Sequence, residues 1–334
     1  MTLKQKLIAL VALPLFGFIC LGTFLGNENY KSYKNLKQTE DIVQFSTKMS
    51  LLIHELQKER GYSAGFIGAK GKKFNNELKT QKIITNERKK ELFIYLKYFN
   101  TAKYNNYFKK LLEQVLTELS QLDKKRELTK KLLLTPSEII TYYTNINKLF
   151  LDSIAKINKN ILNSDLNRQF IAYEQFSRLK DEAGVERAIG TSALSQKFFE
   201  INMRSWFQNL INSQKIHLNH FKNYSDIHSS NFLEEKLLDK KIKELNIIQE
   251  NLLSSNFIDS EKYWFEIATY KINKLKEVDN FLLNKLKYDI LQIKDEFKYS
   301  MYYFISFCLI LSLIVIIFGH FISMNISNLF DGLA

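Results

Sequence analysis

The chain has 334 residues and a formal net charge of +13, from 48 Lys and Arg against 35 Asp and Glu. Most of that excess is lysine, 41 residues against 7 arginines, which reads as a solvated helix surface. The basic region is expected outside the cytoplasm and no recognition motif accompanies it, so nucleic acid is not expected as a partner. The two cysteines, Cys20 and Cys308, both lie in apolar runs, so the long segment between those runs holds no disulfide and no thiolate metal site.

The first element is an uncharged run over residues 7–26, about the 20 residues that a bilayer span needs. Lys4 and Lys6 precede it and place residues 1–6 in the cytoplasm. No small-x-small cleavage site follows before Glu28 and Lys31, so the run is read as an uncleaved first transmembrane helix. Residues 27–300 then lie outside the cytoplasm. Their lysines do not contradict this, because long domains translocate largely regardless of charge.

Within 27–300, apolar residues recur at helical spacing, and strand-like alternation with Asn-Gly turns is missing. The fold class is therefore all-α: an extracytoplasmic helical bundle between two transmembrane helices. Breaks are expected near 70–76, 100–106, 131–136, 163–166, 198–202, 223–231 and 254–260. The best-marked helix start is Thr135-Pro136-Ser137-Glu138, a capping box with proline at the first helical position.

The last outer helix, about 260–299, has no proline or glycine. Leu282, Leu286, Ile290, Ile293 and Phe297 form a seam along it, spaced like a coiled-coil stripe. It leads into a second uncharged run, 301–322, with Tyr302 and Tyr303 at the position of an interfacial aromatic belt. That continuity suits mechanical transmission; the plainer reading is a bundle helix that ends at an anchor. Residues 323–334 carry a short Ile-x-x-x-Ile-x-x-Leu pattern, expected to open a cytoplasmic signalling helix. No kinase, methyl-accepting or cyclase domain follows.

All six glycines between residues 27 and 318 fall in two stretches, His54 to Gly71 and Arg178 to Gly190. In helices each costs about 0.5–1 kcal/mol relative to alanine, so their concentration needs a cause. Offset by 127 residues, Leu52, Glu55, Glu59 and Arg60 match Leu179, Glu182, Glu186 and Arg187. This reads as an internal duplication giving two bundle-like halves, against chance likeness between charged helices.

On a helix, Gln57, Arg60, Ala64 and Ile67 share one face, with Gly61, Gly65 and Gly68 as an adjoining smooth strip. Ala183, Gly184, Arg187, Gly190 and Thr191 repeat the arrangement. In so lysine-rich a chain, arginine at both motif positions points to a planar fork of donors for an oxyanion. Facing a bundle interior, each guanidinium needs a partner: Glu55, Glu59, Glu182, Glu186 or a ligand.

The candidate ligand-binding residues are Arg60, Arg187, Gln57, Ser63, Gly61, Gly184 and Arg178. Thr191, Ser192 and Arg204 lie nearby. The plain alternatives are solvated ion pairs and glycines that mark helix crossings alone. His54 is expected at a boundary, and Tyr62 and Phe66 in the core. No nucleophile-base set or phosphate loop appears, and His217, His220 and His228 lack the companions of a metal site. No catalytic residue, metal or cofactor is assigned, and the chain is not read as an enzyme.

Leu51 to Gly68 resembles the first signature of the nitrate- and nitrite-sensing (NIT) domain family, and Glu182 to Gly190 its second. The likeness extends more weakly over about 45–250. The opening residues 4–15 resemble the first span of chemoreceptors and sensor kinases that carry this domain, and residues 322–333 their HAMP-like segment. The resemblance implies an all-α bundle, often a homodimer, with Arg60 and Arg187 as the nitrate- or nitrite-recognising arginines. The family's first signature often has two adjacent arginines, whereas Lys58-Glu59-Arg60 has one.

The resulting expectation is a two-span receptor of a bacterial inner membrane, truncated but chemoreceptor-like. Its outer domain senses nitrate, nitrite or another small anion. Its cytoplasmic signalling partner is not named by the sequence. The alternatives are a sensor of another ligand or of a periplasmic partner protein, and a structural membrane-anchored bundle.

Overall fold

A computed structural model describes residues 3–331. Met1 and Thr2, from the expected cytoplasmic N-terminus, and Gly332 to Ala334, from the expected HAMP-like segment, lie outside the described residues. The chain forms α1 (Leu3–Gly68), α2 (Asn75–Tyr98), a 3-10 turn (Thr101–Lys103), α3 (Asn106–Ser120), α4 (Leu122–Lys130) and α5 (Pro136–Asn158). It continues with α6 (Ser164–Gln196), α7 (Met203–Tyr224), α8 (Ile227–Leu237), α9 (Lys240–Leu253) and α10 (Glu261–Asp331). No strand occurs among the described residues. Two compact units divide the chain: one comprises residues up to Gln38 and from Tyr288 onward, the other Thr39–Lys287.

The first unit consists of the outer parts of α1 and α10. Each of these helices contains an 18-residue window apolar enough to cross a membrane, with mean hydropathy 1.4 in α1 and 2.7 in α10. Large apolar side chains such as Leu13, Phe16, Ile19, Leu309 and Phe318 are exposed along them. The two helices approach closely at Gly319, where a Cβ would lie 2.3 Å from Val11 Cγ2.

In the second unit, short polar residues start most helices by accepting a backbone N–H that has no partner within the helix. Asn105 caps α3, Asn163 caps α6 and Asp226 caps α8. The expected capping box at α5 is complete: Thr135 Oγ1 accepts from Glu138 N at 3.2 Å, and Glu138 Oε2 accepts from Thr135 N at 2.7 Å.

Each expected break has a counterpart, and two further breaks occur, at Gln121 and at Leu238-Asp239. Asp239 caps α9, a signal present in the sequence. Gln121 has neither glycine nor proline beside it. Along α10, Leu282, Leu286 and Ile290 are buried, whereas Ile293 and Phe297 are half-buried.

The two halves repeat in element order, α1–α5 followed by α6–α10. The non-glycine residues with left-handed backbone pair up between the halves: Lys70 with Lys197, Phe74 with Asn202, and Leu132 with Ser255. Such conformations are uncommon for residues with a Cβ. Their recurrence at nearly the offset of the two motifs supports the duplication.

The glycines of the second motif bring helices together. At Gly190 a Cβ would lie 2.4 Å from the Trp264 ring of α10, which is fully buried. The Trp264 indole Nε1 donates to the Arg187 carbonyl at 2.9 Å, so the ring cannot simply move aside. Gly190→Ala is therefore expected to destabilise the fold by about 1–3 kcal/mol, the usual cost of overpacking, read from chemical denaturation of the full chain.

Candidate functional site

The two motif arginines lie on α1 and α6 and are both fully buried. Each passes over a glycine of the other motif. A Cβ at Gly184 would lie 2.7 Å from Arg60 Nη2, and one at Gly61 would lie 3.0 Å from both Nε and Nη2 of Arg187. The glycines thus leave room for guanidinium groups where two helices cross.

The pair is matched in its hydroxyl partners. Arg60 Nη1 donates to Thr144 Oγ1 on α5 at 3.0 Å, and Arg187 Nη1 donates to Thr269 Oγ1 on α10 at 2.9 Å. It is unmatched in charge. Arg60 Nη2 reaches the Asp181 carboxylate at 3.1 Å and its carbonyl at 3.0 Å. Gln57 and Asn147 also donate to Asp181 Oδ1, each at 3.0 Å. Arg187 Nη2 donates only to the Gln57 carbonyl, at 2.8 Å, and its ring neighbour is Phe265, 4.7 Å away.

Among the described residues, Arg187 therefore has no carboxylate partner. Burial, with Arg60 adding to it and Tyr62 opposing, pushes its guanidinium down to about 9. Burial lowers Arg60 as well, against the pull of Asp181. Nε of both arginines is buried without a hydrogen-bond partner. Taking a cation out of water costs several kcal/mol, and a stacked ring returns only about 2 kcal/mol.

None of the four glutamates expected to pair with the motif arginines does so. Glu59 forms a two-pronged pair with Arg126 of α4, at 2.7 and 2.9 Å, and accepts from the Tyr143 hydroxyl at 2.8 Å. That pair raises Arg126 despite its burial. Glu186 accepts from Gln214 at 2.7 Å and Gln249 at 2.5 Å, with Lys271 at 3.6 Å. Glu55 accepts from Gln81 and Lys58, and Glu182 accepts from Ser213. Helix geometry explains the difference: next to an inward Arg60 or Arg187, a glutamate turns by about 100° and meets another neighbour.

Of the other candidates, Gln57, Gly61 and Gly184 are brought to the arginine pair. Ser63 is buried beside the Tyr143 hydroxyl, on the Glu59 side. Arg178 is held elsewhere, by Asp152 at 2.9 Å and Glu174 at 3.1 Å. Thr191 bonds back to the Arg187 carbonyl, Ser192 accepts from Gln196, and Arg204 reaches the Leu253 carbonyl. Phe66 is in the core as expected, whereas Tyr62 is half-buried and lines a cavity. Asp181, Asn147, Thr144 and Thr269 were not indicated by any motif. Only their helical phase relative to the arginines could have pointed to them.

A second buried polar cluster lies nearer the start of α6. Asp279 of α10 is fully buried and pairs with Lys180 at 3.0 Å and Lys276 at 2.5 Å, and it accepts from Ser50 at 2.6 Å. The two lysines hold its carboxyl well below the usual range against burial. His54 is buried, not at a boundary: it faces this cluster from α1. Burial, then Lys180, Lys58 and Lys276, keep the imidazole well below its ordinary value. Lys180 and Asp181 are adjacent on α6, so one turn of helix carries a member of each cluster.

Two outcomes follow. Glu59→Gln leaves Arg126 without its buried counter-charge and should cost about 3–5 kcal/mol in urea unfolding. Burial pushes Lys180 down to about 8 from 10.5. Above pH 8 the folded chain sheds this proton while the unfolded chain keeps it, so Lys180 makes unfolding free energy rise with pH from 8 toward 10.5. Lys180→Met should remove that rise in denaturation curves taken between pH 7.5 and 9.5, a window of about two units around the shifted value.

The sequence profile described as nitrate and nitrite sensing (NIT) matches residues 51–287, which contain the arginine pair and, apart from Ser50, the second cluster. No curated protein sequence matches the chain. Among solved structures, the NasR transcription antiterminator has a similar fold, with a TM-score of 0.74 at 17% identity over 88% of this chain and 83% of that one. The profile covers more than half of the chain, and the matched residues include the two arginine motifs that cross here at Gly61 and Gly184: the chain belongs to the nitrate and nitrite sensing family, which points to a sensory or regulatory role.

Proposed function

We propose that this protein is a two-span membrane receptor whose residues 27–300 lie outside the cytoplasm and sense a singly charged planar oxyanion, nitrate or nitrite. The observation that carries this is Arg187: a fully buried guanidinium with no carboxylate among the described residues, whose Nε–Nη2 edge meets one backbone carbonyl, that of Gln57 at Nη2, and leaves Nε without a hydrogen-bond partner. That edge is the one a planar oxyanion engages with two parallel N–H bonds. A monoanion there would neutralise the one uncompensated charge among Arg60, Asp181 and Arg187. Gln57, with its carbonyl on Arg187 and its amide on Asp181, would sense the exchange of partners.

The membrane part of the proposal is supported by the exposed apolar windows of α1 and α10. Signal transfer is assigned to α10. This helix carries Thr269, the hydroxyl partner of Arg187, then Lys276 and Asp279, and runs without interruption to Asp331. An anion shifts the packing of α10 only through different affinities for two arrangements of these contacts. An anion on the Nε–Nη2 edge leaves the Nη1–Thr269 bond in place, so a guanidinium displaced by capture would carry Thr269 and α10 with it.

Calorimetric titration of the full chain in lipid nanodiscs tests the reading. Nitrate or nitrite should bind once per chain. Arg187→Ala should abolish binding. Arg187→Lys, which keeps the charge but loses the fork, should weaken it at least about tenfold. Binding that survives Arg187→Ala, or no binding of either anion to the unsubstituted chain, rejects the proposal.

A further inference from the structure

A cavity of about 380 Å³ opens between α1, α2 and α10. Its inner wall is built from the neighbours of Arg187: Thr269, which accepts from Nη1, and Phe265, whose ring lies 4.7 Å from the guanidinium. Tyr62 and Phe74 complete an aromatic throat. Tyr62 and Phe265 are 4.8 Å apart between centroids, Phe74 and Phe265 5.4 Å, and Tyr62 and Phe74 6.4 Å. Phe74 is set there by its left-handed backbone and by Gly65, where a Cβ would lie 2.7 Å from its ring.

The rim is polar. Glu77 and Glu266 are exposed on it, with Lys262 as the single lysine and Asn273 beside them. From outside inward the order is a net negative rim, a ring of three aromatics, and one buried cation. The throat is not repeated in the second half: at the offset of 127, Ile189 stands for Tyr62 and Ile201 for Phe74, and Asn202 takes the left-handed backbone that Phe74 has in the first half.

We propose that this cavity is the entry route to Arg187, that Phe74 gates it, and that Glu77 and Glu266 select singly over doubly charged oxyanions. The proposal rests on the anion reading of Arg187 given above. One buried positive charge neutralises a monoanion, whereas a dianion keeps a surplus charge inside that pays desolvation and is repelled by the rim. Repulsion from the rim scales with ligand charge, so it weighs twice as much on sulfate as on nitrate.

Stopped-flow mixing of the full chain in nanodiscs with micromolar nitrate separates the gate from the site. The reporter is the fluorescence of Trp264, which donates to the Arg187 carbonyl. Phe74→Ala should raise the association and dissociation rates by the same factor, about five- to tenfold, and leave Kd unchanged, because a gate alters the barrier and not the end states. A residue of merely structural weight would change Kd instead. Glu77→Gln/Glu266→Gln, both at exposed positions, should tighten sulfate about tenfold more than nitrate in competition calorimetry.

Three results overturn the proposal. The first is rates in Phe74→Ala equal to those of the parent. The second is a nitrate-to-sulfate ratio unmoved by the double substitution. If nitrate binds, requires Arg187 and yet ignores both sets of changes, only the entry route fails. The third is no nitrate binding to the unsubstituted chain, in which case the anion reading falls with it.

Discussion

One buried charge without a counter-charge organises this molecule. Arg187 is held by a threonine hydroxyl, a backbone carbonyl and an aromatic face, none of which carries a negative charge. Among the described residues around it, Arg60 is matched by Asp181, Glu59 by Arg126, and Glu186 by Lys271 and two amides, while Lys180 and Lys276 share Asp279. In a low-dielectric interior an unmatched cation destabilises the fold, and an anion that enters from water recovers that cost. On the proposed reading, the site would couple an anion to stability through a defect kept by the fold.

The duplication gives this defect its geometry. Two helices carrying the same Glu-Arg element cross so that each arginine lies over the other's glycine. Perfect symmetry would give two equivalent cations. The halves differ at the charges around them. Asp181 on α6 serves Arg60, whereas the corresponding place on α1, His54, is held neutral among lysines. The asymmetry leaves one of the two crossing arginines without a counter-charge among the described residues. It also puts α10, the helix with Thr269, Lys276 and Asp279, in contact with both buried clusters.

Much of this was readable from residues alone. The scarcity of proline and glycine marked the helices, and the six clustered glycines marked the crossing. The capping box at Thr135 and the loops between helices are where local signals placed them. What was not readable is long-range pairing. Glu59 and Glu186 are sequence neighbours of the motif arginines, yet a 100° turn of helix sends each to a different helix. Asp181 is one of several acidic residues on α6, and only its phase against α1 makes it the partner of Arg60. The break at Gln121 has no local signal.

Unfolding of the full chain in urea, with and without nitrate, for the parent and for Arg187→Met, tests the central claim most directly. Methionine fills similar space without charge. Without nitrate the variant should be at least as stable as the parent, because a buried unpaired charge has been removed. With nitrate at about 100 times Kd, the parent should gain about 2.7 kcal/mol and the variant nothing. A variant that loses several kcal/mol without nitrate, with neither protein responding to it, would contradict the account and make Arg187 a structural pin.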